Sequence, residues 1–96
     1  MNFLVAYDIN TQTAEGRRRL RQVAKACEGY GQRVQYSLFE VVCSRTSLSK
    51  LVARLDRIVD ESSDSVRIYP LDRDGFDRVV YIGIRRDLPL GDGWVL

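Results

Sequence analysis

The residues of this chain that could do chemistry are an aspartate at the end of an apolar segment and a run of arginines soon after it. Asp8 follows the strand-forming residues 3–7, and the arginine cluster consists of Arg17, Arg18, Arg19 and Arg21. A carboxylate is a natural ligand for a hard cation such as Mg²⁺, and arginine makes forked contacts to phosphate. The arrangement therefore suits a metal-assisted attack on a phosphodiester.

The composition excludes several other kinds of catalytic site. The 96 residues contain no histidine, and their two cysteines, Cys27 and Cys43, are far apart and lack metal-ligand spacing. Without histidine there is no imidazole-based triad, no histidine acid–base catalysis and little scope for a transition-metal site. We expect both cysteines to fill apolar space. Carboxylates with a hard cation remain the natural equipment for catalysis.

The charge of the chain is nearly balanced overall but unevenly distributed. The formal net charge is +2, and all but two of the 15 basic residues are arginine. Residues 15–35 carry six basic residues against two acids, whereas residues 56–78 carry seven acids against four arginines. One surface is therefore expected to be basic and another acidic. The arginine bias is explained equally well by phosphate contacts and by the codon usage of a genome rich in G and C.

The length indicates one small domain, since chains divide into domains only well above 96 residues. A domain of this size buries a limited fraction of its surface, which makes dimerisation an obvious means of stabilisation. No segment approaches the roughly 20 apolar residues of a membrane span, and the N-terminus lacks the pattern of a secretory signal. We therefore expect a cytoplasmic protein with no membrane contact.

Hydrophobic periodicity predicts the elements that position the candidate residues. Helices are predicted after the N-cap Thr13 and from near Ser44 or Thr46, each with an apolar stripe. Strands are predicted at Asn2–Asp8, within residues 33–43 with a break or bulge at Ser37, at Ser65–Leu71 and at residues 79–84.

This order of elements predicts an α+β fold, a ferredoxin-like βαββαβ sandwich with an extra C-terminal strand. The domain would span residues 1–84, leaving residues 85–96 as a tail that is disordered or docks on another chain. Both helices would cover one face of the sheet, so apolar side chains on the other face would be exposed in a monomer. We therefore expect a homodimer with the sheets face to face, which brings equivalent strand ends together.

Two stretches of sequence carry a resemblance to a known family. The residues FLVAYDI at 3–9 and GRRRLRQVAKACEGYGQRVQYSLFE at 16–40, together with the length, resemble the CRISPR-associated endoribonuclease Cas-two (Cas2) family of spacer-acquisition proteins. The resemblance implies a ferredoxin-like homodimer in which Asp8 from both subunits shares one Mg²⁺ ion. It also implies endonuclease activity on RNA, duplex DNA or both, and partnership with the Cas-one (Cas1) integrase. The tail at residues 85–96 could then dock on either the partner subunit or the integrase. Members of the family differ in whether they cleave.

The resemblance gives Asp8 a role, the residue types give the other candidate residues theirs, and each residue keeps an alternative. Asp8 is the implied catalytic and metal-binding residue, and its alternative is to cap the turn at residues 8–11. The arginine cluster and Arg33 are the candidates for nucleic acid contact, although arginine runs are usually solvated. Tyr7, Ser37 and Phe39 are candidates for support of the active site. Tyr7 and Phe39 are more typical of packed aromatic residues, and Ser37 could equally shape a bulge.

Three functions are compatible with the sequence. The first is a metal-dependent endonuclease that uses Asp8 from two subunits. The second is a non-catalytic dimeric scaffold that holds duplex DNA for the Cas1 integrase. The third is a toxin-like RNA nuclease of the VapD kind, which shares the fold.

Overall fold

The fold is a four-stranded antiparallel sheet with two helices, as seen in a computed structural model that describes residues 1–78, 80 and 82. The strand order is β2-β3-β1-β4, which confirms the predicted α+β, ferredoxin-like arrangement. The predicted strand at residues 79–84 and the tail at residues 85–96 lie outside the described residues, except for Val80 and Ile82. The elements are β1 (Asn2–Asp8), α1 (Ala14–Glu28), β2 (Gly31–Gln35), β3 (Leu38–Val42), α2 (Arg45–Ile58), β4 (Ser65–Leu71) and a short 3₁₀ helix (Gly75–Arg78).

Both helices begin at a capping residue that the sequence pattern indicates. The Thr13 hydroxyl accepts a hydrogen bond from the Gly16 amide at 3.0 Å, and the Ser44 hydroxyl accepts one from the Ser47 amide at 3.1 Å. Such a cap contributes about 1 kcal/mol to stability, because it satisfies a backbone donor that the helix itself cannot. In the described part of the chain, no helix is both long and apolar enough to cross a membrane.

The core lies between the sheet and the two helices, on what we call the helix-covered face. Alternating residues of β1 and β3 point towards the helices, and the helices contribute their apolar stripes in return. Cys27 is buried in this core, and Cys43 is half-buried against it, in line with the expectation that both fill apolar space. The largest fully buried side chains are Phe39, Leu51, Val5, Val23, Val41 and Cys27.

The opposite side of the sheet, which we call the open face, carries the intervening residues of the same strands. Antiparallel pairing places Leu4 of β1 opposite Tyr69 of β4, and Asp8 lies at the end of the same row. Val42 is 65% exposed and Tyr69 is 42% exposed. Apolar side chains are thus exposed on the helix-free face of a single chain, as the sequence predicts, while the face-to-face homodimer stays a prediction.

Candidate metal and nucleic-acid site

Asp8 is the last residue of β1, and its exposed side chain projects from the open face. Its neighbours Tyr7 and Ile9 are both buried, so the backbone on either side is fixed by the core. Opposite Asp8 in the β1–β4 register lies Ser65. Among the described residues, no hydrogen bond or ion pair engages the Asp8 carboxylate. Its oxygen atoms are therefore available to accept from a ligand or to coordinate a cation.

The loop of residues 9–13, which we call the Asp8 loop, is stabilised without the Asp8 side chain. The Asn10 side chain accepts a hydrogen bond from the Gln12 amide at 2.9 Å, and among the described residues no hydrogen bond has Asp8 capping the turn at residues 8–11. The loop crosses directly over the first turn of α1, where a Cβ on Gly16 would overlap the Asn10 carbonyl oxygen. A glycine at position 16 is what allows this close approach.

Asp64, which lies just before β4 and is not among the candidate residues of the sequence, holds the Asp8 loop in position. Its side chain is 0% exposed and accepts from the Arg19 Nε at 2.8 Å. It also accepts from the backbone amides of Asn10 at 3.0 Å and Asp60 at 2.8 Å. Burial alone would raise the pKa of Asp64, but these donors, Arg19 foremost, hold that pKa below its usual value. The ionised carboxylate therefore ties the Asp8 loop to α1 and to the turn before β4.

The arginine cluster divides into bound and free side chains. Arg19, whose side chain is 18% exposed, is committed to Asp64. Arg17 is exposed, and its Nη1 donates to the carbonyl of Thr11 in the Asp8 loop at 3.2 Å. Arg18 and Arg21 are exposed and have no ion pair with any described residue. The structure thus brings Arg17 to the Asp8 loop and leaves Arg18 and Arg21 in solvent.

Arg33, Phe39 and Tyr7 form a packed cluster on the helix-covered face, with the sheet between them and the Asp8 carboxylate. The guanidinium carbon of Arg33 lies 5.1 Å from the centroid of the Phe39 ring, and that ring stacks on Tyr7 with centroids 6.2 Å apart. The Arg33 side chain is 15% exposed, and its Nη2 lies 3.2 Å from the Glu28 carboxylate. A phosphate contact by Arg33, as predicted from the sequence, would require this ion pair to open.

Tyr7 fixes the turn between β2 and β3, which contains Ser37. The Tyr7 amide donates to the Ser37 carbonyl at 3.1 Å, and the Tyr7 hydroxyl donates to the Tyr36 carbonyl at 3.3 Å. Burial raises the pKa of Tyr7 to about 12, so the phenol keeps its proton at neutral pH. Tyr7 is therefore a packing residue and a hydrogen-bond donor beside Asp8, and it cannot act there as a general base.

A single chain offers one exposed carboxylate towards the predicted magnesium site. Within residues 1–78, and at positions 80 and 82, no three histidine, cysteine, aspartate or glutamate residues lie close enough together to hold a metal ion. Mg²⁺ keeps several waters beside one or two carboxylates, and the exposed Asp8 carboxylate offers one. Two copies of Asp8 facing each other across a twofold axis would complete such a set, so the donors fit Mg²⁺ in a dimer.

Known proteins of one family share both the sequence and the fold of this chain. Residues 1–79 match the family model for CRISPR associated protein Cas2. Over 92 residues, and 96% of each chain, the sequence is 44% identical to a CRISPR-associated endonuclease Cas2 of Halalkalibacterium halodurans. Over 82 residues it is 51% identical to a CRISPR-associated endoribonuclease Cas2 3 of Rhodospirillum rubrum, covering 85% of this chain and 86% of the relative. The crystal structure of Streptococcus pyogenes Cas2 at pH 6.5 gives a TM-score of 0.78 at 47% identity, covering 86% of this chain and 100% of that one. The chain belongs to the family of CRISPR-associated Cas2 proteins.

Proposed function

We propose that this protein is a metal-dependent endonuclease of CRISPR spacer acquisition, with Asp8 from two subunits at its active site. The observation that carries the proposal is the exposed Asp8 carboxylate, which is held between buried neighbours and engaged by no other described residue. Two relatives are named nucleases, one an endonuclease and the other an endoribonuclease. The substrate proposed for this chain is accordingly RNA, duplex DNA or both.

The active unit would be a homodimer packed through the open face. Val42 and Tyr69 expose apolar surface on that face, and a second copy of the same face is a complementary cover for it. Asp8 projects from the same side of the sheet. A twofold axis near the end of β1 would place the two Asp8 carboxylates opposite each other, where they repel when no cation lies between them.

The residues of this chain would bind, orient and neutralise the substrate around the paired carboxylates. Both Asp8 side chains would hold Mg²⁺, which supplies Lewis acidity towards an attacking water and the phosphoryl oxygens when it is bound. Arg17, next to the Asp8 loop, with Arg18 and Arg21 beyond it, would neutralise phosphates on either side of the scissile bond. Asp64 and Gly16 would keep the Asp8 loop at a constant distance from α1.

The direct test is Asp8→Asn, which keeps the shape of the side chain and removes its charge. We expect Mg²⁺-dependent cleavage of labelled RNA or duplex DNA to fall by at least about 10²-fold, because a lost charge-stabilising group costs this much in other enzymes. The matched control is Asp56→Asn, which removes an exposed carboxylate from α2 and should leave cleavage unchanged. If Asp8→Asn cleaves as well as the unmodified protein, another site or a contaminant is responsible and the proposal is wrong.

A scaffold without cleavage is the second candidate, and the exposed arginines favour it. Arg18 and Arg21, with no ion pair among the described residues, suit backbone binding that breaks no bond. As a scaffold, the dimer would hold duplex DNA for the Cas1 integrase. Spacer integration would then survive Asp8→Asn and fail when Arg17, Arg18 and Arg21 are changed to glutamine, whereas a required nuclease predicts failure with Asp8→Asn. Membership of the Cas2 family is the reason to set the VapD-like alternative aside.

A further inference from the structure

We propose that a second surface, a groove between the outer sides of α1 and α2, binds the phosphate backbone of duplex nucleic acid. This helix groove is lined by Gln22 and Lys25 of α1 and by Arg54, Arg57 and Ile58 of α2. It lies in the helix layer, so the sheet separates it from the open face that carries Asp8. This inference rests on the proposed function, because it takes a nucleic acid as the substrate class. It adds a binding site that is separate from Asp8.

The cations of α1 form a line that leads into the helix groove. Arg18, Arg21 and Lys25 follow one another at helical spacing and are all exposed. Arg18 and Arg21 line a neighbouring depression near the start of α1, and Lys25 lines the helix groove. From position 18 to position 25 the helix rises about 10 Å. A duplex aligned with α1 carries about three phosphates of one strand over that length, since each strand has one charge per about 3.4 Å of duplex axis.

The cations of the helix groove have no carboxylate partner in the chain as described. Within residues 1–78, no ion pair involves Lys25, Arg54 or Arg57, whereas Arg19 and Arg33 are each paired with a carboxylate. A phosphate can therefore approach these three cations without breaking an existing ion pair.

The acids nearest in sequence to these cations are directed elsewhere. Glu28, one turn after Lys25, is paired with Arg33. Asp56, although it lies between Arg54 and Arg57, lines a different groove between α2 and β4. Asp60, three residues after Arg57, accepts hydrogen bonds from Ser62. Among the described residues, no carboxylate is thus ion-paired with a cation of the helix groove, which favours a positive local potential.

The lining favours a duplex over a single strand. Proteins that bind single strands stack the bases on aromatic side chains, and the five lining residues include no aromatic. Contacts from lysine and arginine go to phosphate and carry no sequence information. The helix groove therefore offers cations for the phosphates of a regular double-stranded backbone and no aromatic surface for unpaired bases.

The test is a salt titration of duplex binding without Mg²⁺, followed by fluorescence anisotropy of a labelled duplex. The variant Lys25→Gln with Arg54→Gln should make the negative slope of log affinity against log salt shallower by about 1.8, since each lost phosphate contact contributes about 0.9 to its magnitude. The matched control, Arg45→Gln with Arg73→Gln, also removes two exposed positive charges. Neither control residue lines the helix groove, so the slope should stay that of the unmodified protein.

Three results would overturn the proposal. The first is an equal slope change in the groove and control variants, which would show that only net charge matters. The second is a change in the salt slope of the groove variant on the single strand of the same sequence that equals or exceeds its change on the duplex. The third is weakened binding in the charge-preserving variant Lys25→Arg with Arg54→Lys, because shape rather than charge would then be responsible.

A failure of this proposal is distinguishable from a failure of the Asp8 proposal. Cleavage is measured separately, with Mg²⁺ and at saturating duplex, where a binding defect is compensated by mass action. The groove variant should then cleave like the unmodified protein, while Asp8→Asn should keep the full salt slope. Undiminished cleavage by Asp8→Asn would refute the proposed role of Asp8 in cleavage and would leave the helix-groove proposal unaffected.

Discussion

On the helix-covered face of the sheet Val5 and Phe39 are fully buried, whereas on the open face Val42 is 65% exposed and Asp8 lies in solvent. Both faces are made by the same strands, since successive side chains of a strand point in opposite directions. The buried residues fix where the backbone of β1 runs, and the exposed ones use that fixed position. Stability and proposed chemistry are therefore assigned to alternate residues of one strand, and each can be altered separately.

Truncating an aromatic ring on each face should give the largest contrast. Phe39→Ala should lower the free energy of unfolding by about 3–5 kcal/mol, because it leaves a cavity beneath Tyr7 and Arg33. Tyr69→Ala on the open face should cost about 1 kcal/mol or less. Both values come from chemical denaturation at protein concentrations low enough to keep the chain monomeric. Equal costs would show that the open face is covered within a single chain.

A charge on the open face should separate the subunits. Val42→Glu should weaken the homodimer by at least about 30-fold, since it places two like charges in an apolar interface. Light scattering at micromolar concentration should then report a particle of 11.0 kDa. Val52→Glu is the matched control, because Val52 is an exposed valine of α2 that does not lie on the sheet. A Val42→Glu protein that remains dimeric would refute packing through the open face.

The third contrast is between a buried and an exposed carboxylate under acid. The pKa of Asp64 is lowered in the folded state, so its ionised form adds stability above the ordinary carboxyl pKa of about 4. That contribution is lost as the pH falls through the lowered value. Denaturation curves measured at a series of pH values should therefore show a shallower acid loss for Asp64→Asn than for the unmodified protein. Asp56→Asn should keep the original slope, and parallel curves for all three proteins would contradict the assignment.

The last contrast is between two glycines of the same helix region, Gly16 where the Asp8 loop crosses α1 and Gly29 just after the helix. Alanine is ordinarily about 1 kcal/mol better than glycine within a helix, yet Gly16→Ala should lower stability because the new Cβ would overlap the Asn10 carbonyl. Gly29→Ala is the control, since its Cβ would meet the nearest atom at an ordinary 3.5 Å, and we expect a change between zero and a gain of about 1 kcal/mol. Thermal melts measure both, and a stabilised Gly16→Ala protein would show that the loop yields readily.

The elements of the fold were predictable because their signals are local. The alternation of β1, the N-caps Thr13 and Ser44 and the break at Ser37 each depend on residues a few positions apart. The exposed apolar side chains of the open face also followed from the pattern, since the predicted order of elements places both helices on one face of the sheet. The structure confirms these expectations for the residues that it describes.

The partners of individual charged residues were not predictable, because they are distant in the sequence or depend on side-chain direction. Asp64 meets Arg19 across 45 positions, and no short pattern marks that pairing. The sequence predicted Arg33 as a surface cation for nucleic acid contact. Its register opposite Phe39 instead directs its side chain towards the core and Glu28. The cations of the helix groove were visible as residue types, but only the packing of α1 on α2 brings Lys25 and Arg54 together.

The pairing register of β1 also limits how this chain can vary in length. An added or deleted residue before Tyr7 would exchange the two sets of side chains, turning the Asp8 carboxylate into the apolar interior and an aromatic ring outward. Insertions should therefore be tolerated better in exposed loops outside the strand than inside it. In a library of single-residue insertions scored for folded protein, variants with an insertion inside β1 should be depleted, and the depletion should end abruptly at the ends of the strand.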